Sequence, residues 1–435
     1  MTTGTGQALY EEARTLIPGG TQLLSKRPEM FLPGAWPAYY SSAQGCTVTD
    51  LDGNQYVDMS HNGIGACVLG HHDPDVDGAV HQAIDAGTMA TLNCPEEVEL
   101  ANLLVGAHPW ADEVRYARTG GEAMAIAVRI ARASTGRDKV AFCGYHGWHD
   151  WYLAANLGKD ALGDHLLTGL SAAGVPRGLQ GTALPFQYND LDGLRAILEA
   201  DPEVGVVVME PVRSTMPDEG FLAGVRRLCD EHGAVMILDE ITAGFRLNAG
   251  GAHLTLGVEP DIAVFAKAMS NGYPMAAVIG RSPVMDAAQT TFISSTYWTE
   301  RIGPTAALAT IRKHTTSNVH EHIIGIGQSV KAIWRAAAQE HDVPIHVNGL
   351  DPLAHFGLEG PDAVAGETLF TKIMLGNGFL ANGSFYATYA HQQEHLDAYG
   401  EAVDEAFREL AKAMRTGTLA TLIDEPHHTG FRRLA

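Results

Sequence analysis

The chain has 435 residues, of which 46% are hydrophobic and 18% charged, and its formal net charge at pH 7 is −22. This length exceeds what one hydrophobic core usually serves, so the sequence predicts one large and one smaller domain. The negative charge disfavours binding to nucleic acid or to an anionic membrane surface, because either polyanion would repel the protein, and small molecules are the expected partners.

Residues 1–65 are predicted to contribute the first segment of the smaller domain. A helical pattern, EEARTLI, is followed by stretches rich in proline and glycine. The later run TVTDLDGNQYVDM resembles a hairpin, because Asp52 and Gly53 form a turn signal between its two halves.

Residues 66–318 are predicted to form the large domain. Apolar runs such as KVAFC, VGVVVME, AVMILDE and IAVFA alternate there with helical patterns such as GFLAGVRRLCDEHG. This alternation is typical of the α/β class, in which helices cover both faces of a mostly parallel sheet. Residues 156–185 contain many glycines and prolines and are predicted to form a long loop that serves as a lid or a substrate wall.

Residues 319–435 are predicted to complete the smaller domain as an α+β segment. The helical pattern EHIIGIGQSVKAIWRAAAQEH precedes the shorter strand patterns VPIHVNG and LAHFGLEG, and the helical pattern EAVDEAFRELAKAMRTG follows them.

Two charged residues stand at the ends of apolar runs in the large domain. Asp239 ends AVMILD, and Lys267 follows DIAVFA. Ligands of open α/β sheets bind at the carboxyl ends of strands, so both residues are expected in one site. Burial lowers the pKa of a lysine and makes its amine a nucleophile towards carbonyls, and an acid opposite it suits a protonated pyridine nitrogen. A structural lysine–aspartate ion pair is the alternative interpretation.

A second motif combines glycines with the start of a helix. Thr119, Gly120 and Gly121 precede apolar residues at helical spacing. The glycines allow close approach to backbone N–H groups, and the N-terminus of a helix attracts phosphate, although a plain turn is the alternative. Tyr145, which follows the run KVAFC, is placed to stack on a flat ring.

Five segments taken in order resemble the class III aminotransferases: TGGEA at 119–123, YHG at 145–147, MEP at 209–211, LDEITAGFR at 238–246 and FAKAMSNGYP at 265–274. Within that family the chain is most similar to the glutamate-1-semialdehyde aminomutase branch, and the resemblance covers nearly the whole length. It implies the fold of the aspartate aminotransferase-like pyridoxal-phosphate enzymes, with pyridoxal 5′-phosphate as cofactor.

The resemblance implies a role for each matching residue around the cofactor ring. Lys267 would hold pyridoxal phosphate as a Schiff base and carry the proton between the two reacting carbons. Asp239 would bind the pyridinium nitrogen. Tyr145 matches the aromatic residue on one face of the ring, and Ile241 matches the branched aliphatic residue on the other.

The resemblance also implies how the cofactor phosphate is held. Thr119, Gly120 and Gly121 match the phosphate-cradling turn. Thr296 matches a threonine that reaches the phosphate from the partner subunit, which implies a homodimer with the active site at the subunit interface. The family often has a hydroxyl residue where Gly121 stands, so the phosphate is expected to depend more on backbone amides and on Thr119.

The expected substrate contacts depart from the family pattern. After the phosphate threonine the family commonly continues with small residues and asparagine, whereas this chain has YWTER at 297–301. Trp298 and Glu300 are therefore candidates for contacting a polar or hydroxylated substrate, and a solvated loop at the dimer interface is the alternative interpretation. The aminomutases place an arginine for the substrate carboxylate near the segment TQLLSKRPEMF, where either Lys26 or Arg27 is available, and the choice between them is open.

Three functional hypotheses follow. The first is an aminotransferase that moves an amino group from an amino acid, with glutamate as the default, to a small carbonyl acceptor by ping-pong chemistry; keto acid, aldehyde and keto sugar all remain open as acceptors. The second is an intramolecular aminomutase of the glutamate-1-semialdehyde type, which needs the same lysine, ring and acid. The third is a non-catalytic binding protein with this fold, against which the costly pair of Lys267 and Asp239 argues.

Cysteines and histidines indicate no further chemistry. Five cysteines lack CxxC spacing, so neither a disulfide framework nor a zinc site is expected. The histidines at 71–72, 146 and 149 are interpreted as loop residues and not as metal ligands. The first residues lack a basic stretch followed by an apolar run, and no long apolar segment follows, so a cytoplasmic protein without export or membrane segments is expected.

Overall fold

The computed structural model describes residues 4–158, 161–163, 165, 169–212 and 214–430. In chain order the α-helices of this part are α1 (Thr5–Leu16), α2 (Pro74–Ala86), α3 (Glu96–Ala107), α4 (Gly120–Thr135), α5 (Asp150–Leu153), α6 (Leu191–Ala200), α7 (Phe221–His232), α8 (Ala252–Leu256), α9 (Ser282–Met285), α10 (Ile302–Thr316), α11 (Val319–His341), α12 (Ala363–Gly376), α13 (Gln393–Thr416) and α14 (Leu419–Leu422).

The β-strands of the same part are β1 (Tyr40–Gln44), β2 (Thr47–Asp50), β3 (Gln55–Met59), β4 (Glu113–Ala117), β5 (Lys139–Cys143), β6 (Ala183–Pro185), β7 (Val204–Met209), β8 (Val235–Asp239), β9 (Ile262–Phe265), β10 (Ala276–Gly280), β11 (Ile345–Leu350), β12 (Leu353–Leu358), β13 (Phe379–Ala381) and β14 (Ser384–Tyr386).

The chain forms two compact units. Residues Pro74–His320 make up one, called the central unit below, and residues Met1–Asp73 with Glu321–Ala435 make up the other, called the terminal unit. In the described part of both units, no helix is at once long enough and apolar enough to cross a bilayer.

A seven-stranded sheet organises the central unit, with the strand order β4-β10-β9-β8-β7-β5-β6. The neighbours from β9 through β6 are parallel, and β10 runs antiparallel to both β4 and β9. The predicted α/β class with a mostly parallel sheet is therefore confirmed.

Helices cover both faces of this sheet because alternate residues of each strand point to opposite sides. On one face Val206 and Val208 of β7 pack in a core with Ile126 of α4. On the other face Val207 packs in a second core with Val225 of α7. β5, β7, β8 and β9 are consequently apolar along most of their length, and this is why they could be recognised as continuous runs.

The predicted loop at 156–185 contains one strand that the sequence did not reveal. β6 pairs in parallel with β5, and a short 3-10 turn at Arg177–Leu179 precedes it. Three residues that include a proline give no recognisable apolar run. Residues 159, 160, 164 and 166–168 of this segment lie outside the described residues, and its role as a lid stays a prediction.

The terminal unit contains the predicted hairpin. β2 and β3 pair antiparallel, and Gly53 between them has a φ of 85°, a value that favours glycine. The Asp50 carboxylate accepts hydrogen bonds from the N–H groups of Asp52 (2.9 Å) and Asn54 (2.8 Å), which fixes the turn. β1 and β13 complete this sheet, and β11, β12 and β14 form a separate antiparallel one.

Helix α11 of the terminal unit approaches another backbone segment at Gly327. A side chain at this position would overlap the carbonyl oxygen of Asp351, which follows β11. Gly325 lies on the same helix and has no described heavy atom within 4 Å of the place that a Cβ would occupy.

We expect Gly327→Ala to lower the free energy of unfolding by about 1–3 kcal/mol, because backbone must move to admit the methyl group. Gly325→Ala is the matched control and should raise it by up to about 1 kcal/mol, since alanine is the better helix former. Urea unfolding followed by circular dichroism measures both values. Equal unfolding midpoints for the two variants would contradict the close approach.

Candidate active site

The site lies where parallel strands of the central sheet end. Asp239 is the last residue of β8, Lys267 begins a 3-10 turn shortly after β9, and Glu210 directly follows β7. Tyr145 follows β5 by two residues. Because β5, β7, β8 and β9 run in the same direction, their carboxyl ends bring these four side chains to one edge of the sheet.

Lys267 is only partly exposed, and its amine donates a hydrogen bond to the Thr242 hydroxyl at 2.8 Å. Burial lowers the pKa of this amine, while the negative charges of Asp239 and Glu210 oppose that change. The φ of Lys267 is 47°, in the left-handed region that residues with a side chain rarely adopt. Strain of this kind persists only where the surroundings impose it, and it is common at functional sites.

Asp239 is 3% exposed, and both of its carboxylate oxygens have partners. Oδ1 accepts the backbone N–H of Ile241 at 3.0 Å, and Oδ2 lies 2.8 Å from Nδ1 of His146. No described carboxylate lies within 4.0 Å of the Lys267 amine. The direct lysine–aspartate ion pair that the sequence left open is therefore absent from the described residues, and a histidine takes the place of the lysine beside the acid.

His146 is buried and lies between two acceptors. Nε2 is 3.1 Å from the carbonyl oxygen of Cys143, to which it can only donate. Nδ1 faces Asp239, so the ring satisfies both contacts with a charged carboxylate when it carries a proton on each nitrogen. The sequence placed His146 among loop histidines, and the only available signal was its position beside Tyr145 at the end of an apolar run.

Tyr145 and Ile241 flank this acid. Tyr145 is 42% exposed, its backbone N–H donates to Glu210 Oε2 at 3.2 Å, and burial raises the pKa of its phenol, with Asp239 and Glu210 adding to the effect. Ile241 approaches the start of α4 closely, because a Cβ at Gly120 would lie 2.9 Å from its Cδ1. A side chain at position 120 would therefore make the Ile241 side chain shift.

A capping box begins helix α4. The N–H of Glu122 donates to Thr119 Oγ1 at 3.4 Å, and Glu122 Oε2 accepts the N–H of Thr119 at 3.0 Å. The first N–H groups of an α-helix have no acceptor within the helix, so those of Gly120 and Gly121 are available to an anion. A Cβ at Gly121 would lie 3.1 Å from two ring atoms of His149, so this histidine covers the side of the turn where a longer residue would project.

The segment 296–301 has two kinds of residue. Thr296 is exposed at the start of a short 3-10 turn, and Trp298 is partly buried against the core that contains α4. Glu300 is held by the protein itself: Oε1 accepts from Arg118 Nε at 2.8 Å, and Oε2 accepts the N–H of Ile302 at 2.6 Å. Through these bonds Glu300 connects Arg118, which precedes the turn at Thr119–Gly121, with the start of α10.

Lys26 and Arg27 belong to the terminal unit. Lys26 is exposed at the end of a 3-10 turn, Leu24–Lys26, and Arg27 is partly buried, with its guanidinium next to Gly19. The choice between Lys26 and Arg27 as the contact of a substrate therefore remains open.

Comparison with known proteins gives consistent results. The family model "Aminotransferase class-III" matches residues 33–414. A 3-aminobutyryl-CoA aminotransferase of Cloacimonas acidaminovorans is 31% identical over 94% of this chain and 97% of its own length. A glutamate-1-semialdehyde 2,1-aminomutase of Roseiflexus castenholzii is 33% identical over 96% of this chain and 100% of its own. The solved structure of the FumI protein of Sphingopyxis sp. MTA144, in its pyridoxal-phosphate internal aldimine form, superposes with a TM-score of 0.85 at 25% identity, covering 98% of this chain and 99% of that one.

The lowered pKa of Lys267 predicts a pH dependence of stability in cofactor-free protein. Between the lowered folded-state pKa and the ordinary value of 10.5, the unfolded chain holds a proton that the folded chain lacks. The contribution of Lys267 to the free energy of unfolding therefore rises with pH across that window.

Relative to Lys267→Met, the unmodified chain should gain up to about 1.4 kcal/mol per pH unit. Urea unfolding of both cofactor-free proteins at several pH values between about 7 and 10 tests this expectation. A stability difference that does not change with pH would mean that the amine is not desolvated.

Proposed function

The chain belongs to the class III aminotransferases, and from this premise we propose that it transfers an amino group from a small amino acid donor to a small carbonyl acceptor by a ping-pong mechanism. Glutamate is the first donor to test. The observation that carries the proposal is the desolvated amine of Lys267 at the end of β9, next to the buried Asp239 carboxylate at the end of β8.

Pyridoxal 5′-phosphate is the cofactor of this family, and the side chains present suit it. Bound pyridoxal phosphate supplies an electron sink for the negative charge that develops at the reacting carbon. The chain offers an amine for its carbonyl, a buried acid for its ring nitrogen and the start of α4 for its phosphate. The close contact of Gly120 with Ile241 brings that helix start next to the acid, since Ile241 also donates its N–H to Asp239.

Lys267 is the proposed catalytic residue. Its lowered pKa favours the uncharged amine, which is the nucleophilic form and the form that accepts a proton from the substrate carbon. The Thr242 hydroxyl, 2.8 Å from Nζ, orients the amine and receives its hydrogen bond. Thr242 is therefore a positioning residue that the sequence did not reveal.

Asp239 is proposed to pair with the ring nitrogen and to keep it protonated. A carboxylate with so little exposure needs compensation to remain charged. His146 gives it by a charged hydrogen bond from Nδ1, and the N–H of Ile241 adds a second donor. His146 acts through Asp239 and is a positioning residue.

The remaining proposed cofactor contacts follow the same arrangement. Tyr145 and Ile241 would enclose the ring, and the N–H groups of Gly120 and Gly121 would bind phosphate. The Thr119 hydroxyl already accepts the N–H of Glu122, so we assign it mainly to the helix cap that presents these groups.

The proposed dimer contact is Thr296, which is exposed and would reach the phosphate of a partner subunit. Trp298 is the proposed substrate contact of the segment 296–301. Glu300 is proposed to shape this segment by its bond to Arg118 and not by meeting substrate, because both of its oxygens are bound within the chain. Lys26 or Arg27 remains the proposed partner of the substrate carboxylate.

An intramolecular aminomutase is the second candidate. The 33% identity to a glutamate-1-semialdehyde 2,1-aminomutase over nearly the whole of both chains favours it. Both reactions use the same lysine, acid and cofactor. They differ in whether the deaminated product leaves before the second half of the reaction.

We expect glutamate or another single amino donor to convert the visible absorption band of the lysine-bound cofactor to that of its amino form, with release of one keto acid per site. Lys267→Ala should abolish turnover, because the proposed mechanism uses this amine both to hold the cofactor and to move the proton. Absorption spectroscopy combined with quantification of the keto acid measures this half-reaction. Conversion of glutamate semialdehyde without keto acid release would identify the aminomutase, and a chain that never binds the cofactor would support a non-catalytic role.

The contact between His146 and Asp239 predicts coupled losses of activity. Asp239→Asn and His146→Phe should each lower kcat/KM by roughly 10²–10³-fold, since the first removes the carboxylate that acts on the ring and the second removes the partner that stabilises its charge. The double variant should be little worse than either, because both act through one contact. Steady-state kinetics of the three proteins, with the exposed His81→Phe as control, test the coupling; additive losses would show that the two residues act independently.

A further inference from the structure

Residues 294–300 lead into α10 and belong neither to a strand nor to an α-helix. They contain a 3-10 turn, Thr296–Thr299, and residues 294–297 are exposed. Trp298 packs against the core that contains α4. A segment with so little regular structure depends on other parts of the chain for a fixed position.

Arg118, which directly follows β4, holds this segment by its main chain. Nη2 of the guanidinium donates to the carbonyl oxygens of Trp298 and Glu300, each at 2.9 Å. Nε donates to the Glu300 carboxylate at 2.8 Å. The two carbonyl groups stand at the end of the 3-10 turn, where the last carbonyls of a helical turn have no N–H partner within it. Arg118 therefore satisfies main-chain groups that the turn leaves open.

The same guanidinium has no N–H group left for a ligand. Nη1 donates to the carbonyl oxygen of Ala117 at 3.1 Å and to the sulfur of Met275 at 3.2 Å. With the bonds to Trp298 and Glu300, five hydrogen bonds leave a group that has five N–H donors. The side chain is 10% exposed. Although it stands beside the phosphate turn, Arg118 is thus occupied in holding the protein and not in binding an anion.

The cap of α4 fixes the backbone of Arg118. Its N–H donates to Glu122 Oε2 at 3.2 Å, and the same oxygen accepts the N–H of Thr119 at 3.0 Å. The planar guanidinium bonds in fixed directions. Arg118 therefore sets how far Trp298 stands from the phosphate turn.

We propose that Arg118 is a positioning residue that determines substrate choice by fixing the place of Trp298 relative to the phosphate turn. The inference rests on the proposed function, in which Trp298 contacts the substrate. Lysine at position 118 would keep the charge beside Glu300. An ammonium group has three N–H donors and no fixed plane, so it cannot reproduce five directed bonds.

The first measurement needs no substrate. Amide hydrogen exchange with mass spectrometry compares Arg118→Lys with the unmodified full chain as purified. The N–H groups of Trp298 and Glu300 are bonded within the turn. We expect them to exchange faster by at least about tenfold in the variant, because opening of the turn no longer breaks the bonds to Arg118.

The matched control for both measurements is Arg312→Lys. Arg312 is exposed on α10 and pairs with the exposed Glu99 at 3.1 Å. The same change of side chain at this position should leave the exchange of residues 296–300 and the choice of substrate as they are in the unmodified protein.

The second measurement tests substrate choice. The standard amino acids are offered one at a time to the cofactor-loaded protein, and kcat/KM is determined for each donor. We expect Arg118→Lys to change the ratio between the two fastest donors by at least about fivefold, because displacement of Trp298 reshapes the pocket. A merely structural role would slow both donors in equal proportion.

A second variant keeps the test decisive. Where Arg118→Lys does not fold, Glu300→Gln takes its place, since it removes the charge beside Nε and sets an amide against the N–H of Ile302; the same two changes are expected. The proposal is overturned if exchange in residues 296–300 is unchanged, or if the donor ratio is unchanged. If no donor reacts with the unmodified protein, the proposed function fails and the substrate role of Arg118 fails with it, whereas the exchange result still shows whether Arg118 holds the segment.

Discussion

The charge of Asp239 is the constraint on which the candidate site depends. A carboxylate buried at the end of β8 needs a fixed partner, and His146 supplies it from the chain that follows β5, two strands away in the sheet. The Cys143 carbonyl holds the other side of the same ring. Since Tyr145 precedes His146 and Ile241 donates its N–H to Asp239, one buried pair also fixes where the two flanking residues stand.

The fold was largely predictable because buried parallel strands are apolar on both faces. β5, β7, β8 and β9 are apolar runs, and a polar residue of the candidate site stands at the end of each or within two residues after it. β6 escaped prediction, because three residues beside glycine and proline carry no pattern. Hydrogen bonds between distant segments also cannot be predicted from sequence patterns. His146 and Asp239, for example, are 93 positions apart, and no periodicity relates them. The roles of the individual site residues stay predictions.

Glu300 illustrates how chemistry read from a sequence misses local structure. Its charge stands in an unusual segment and therefore suggested a substrate contact. In the fold, the Glu300 carboxylate accepts a hydrogen bond from Arg118, which is 182 positions away in the sequence. It also accepts the backbone N–H of Ile302 at the start of α10. A carboxylate can serve a helix N-terminus as well as a ligand, and only the position of the neighbouring N–H groups distinguishes the two. Arg118 thereby links the α4 turn to the segment that carries Thr296.

The contact between Gly121 and His149 has a consequence for how such sites diverge. A side chain at position 121 would stand 3.1 Å from two atoms of the His149 ring, so the ring would have to move by a few tenths of an ångström to admit it. A smaller residue at position 149 removes this requirement. The residues accepted at positions 121 and 149 are therefore expected to depend on each other when the start of α4 diverges.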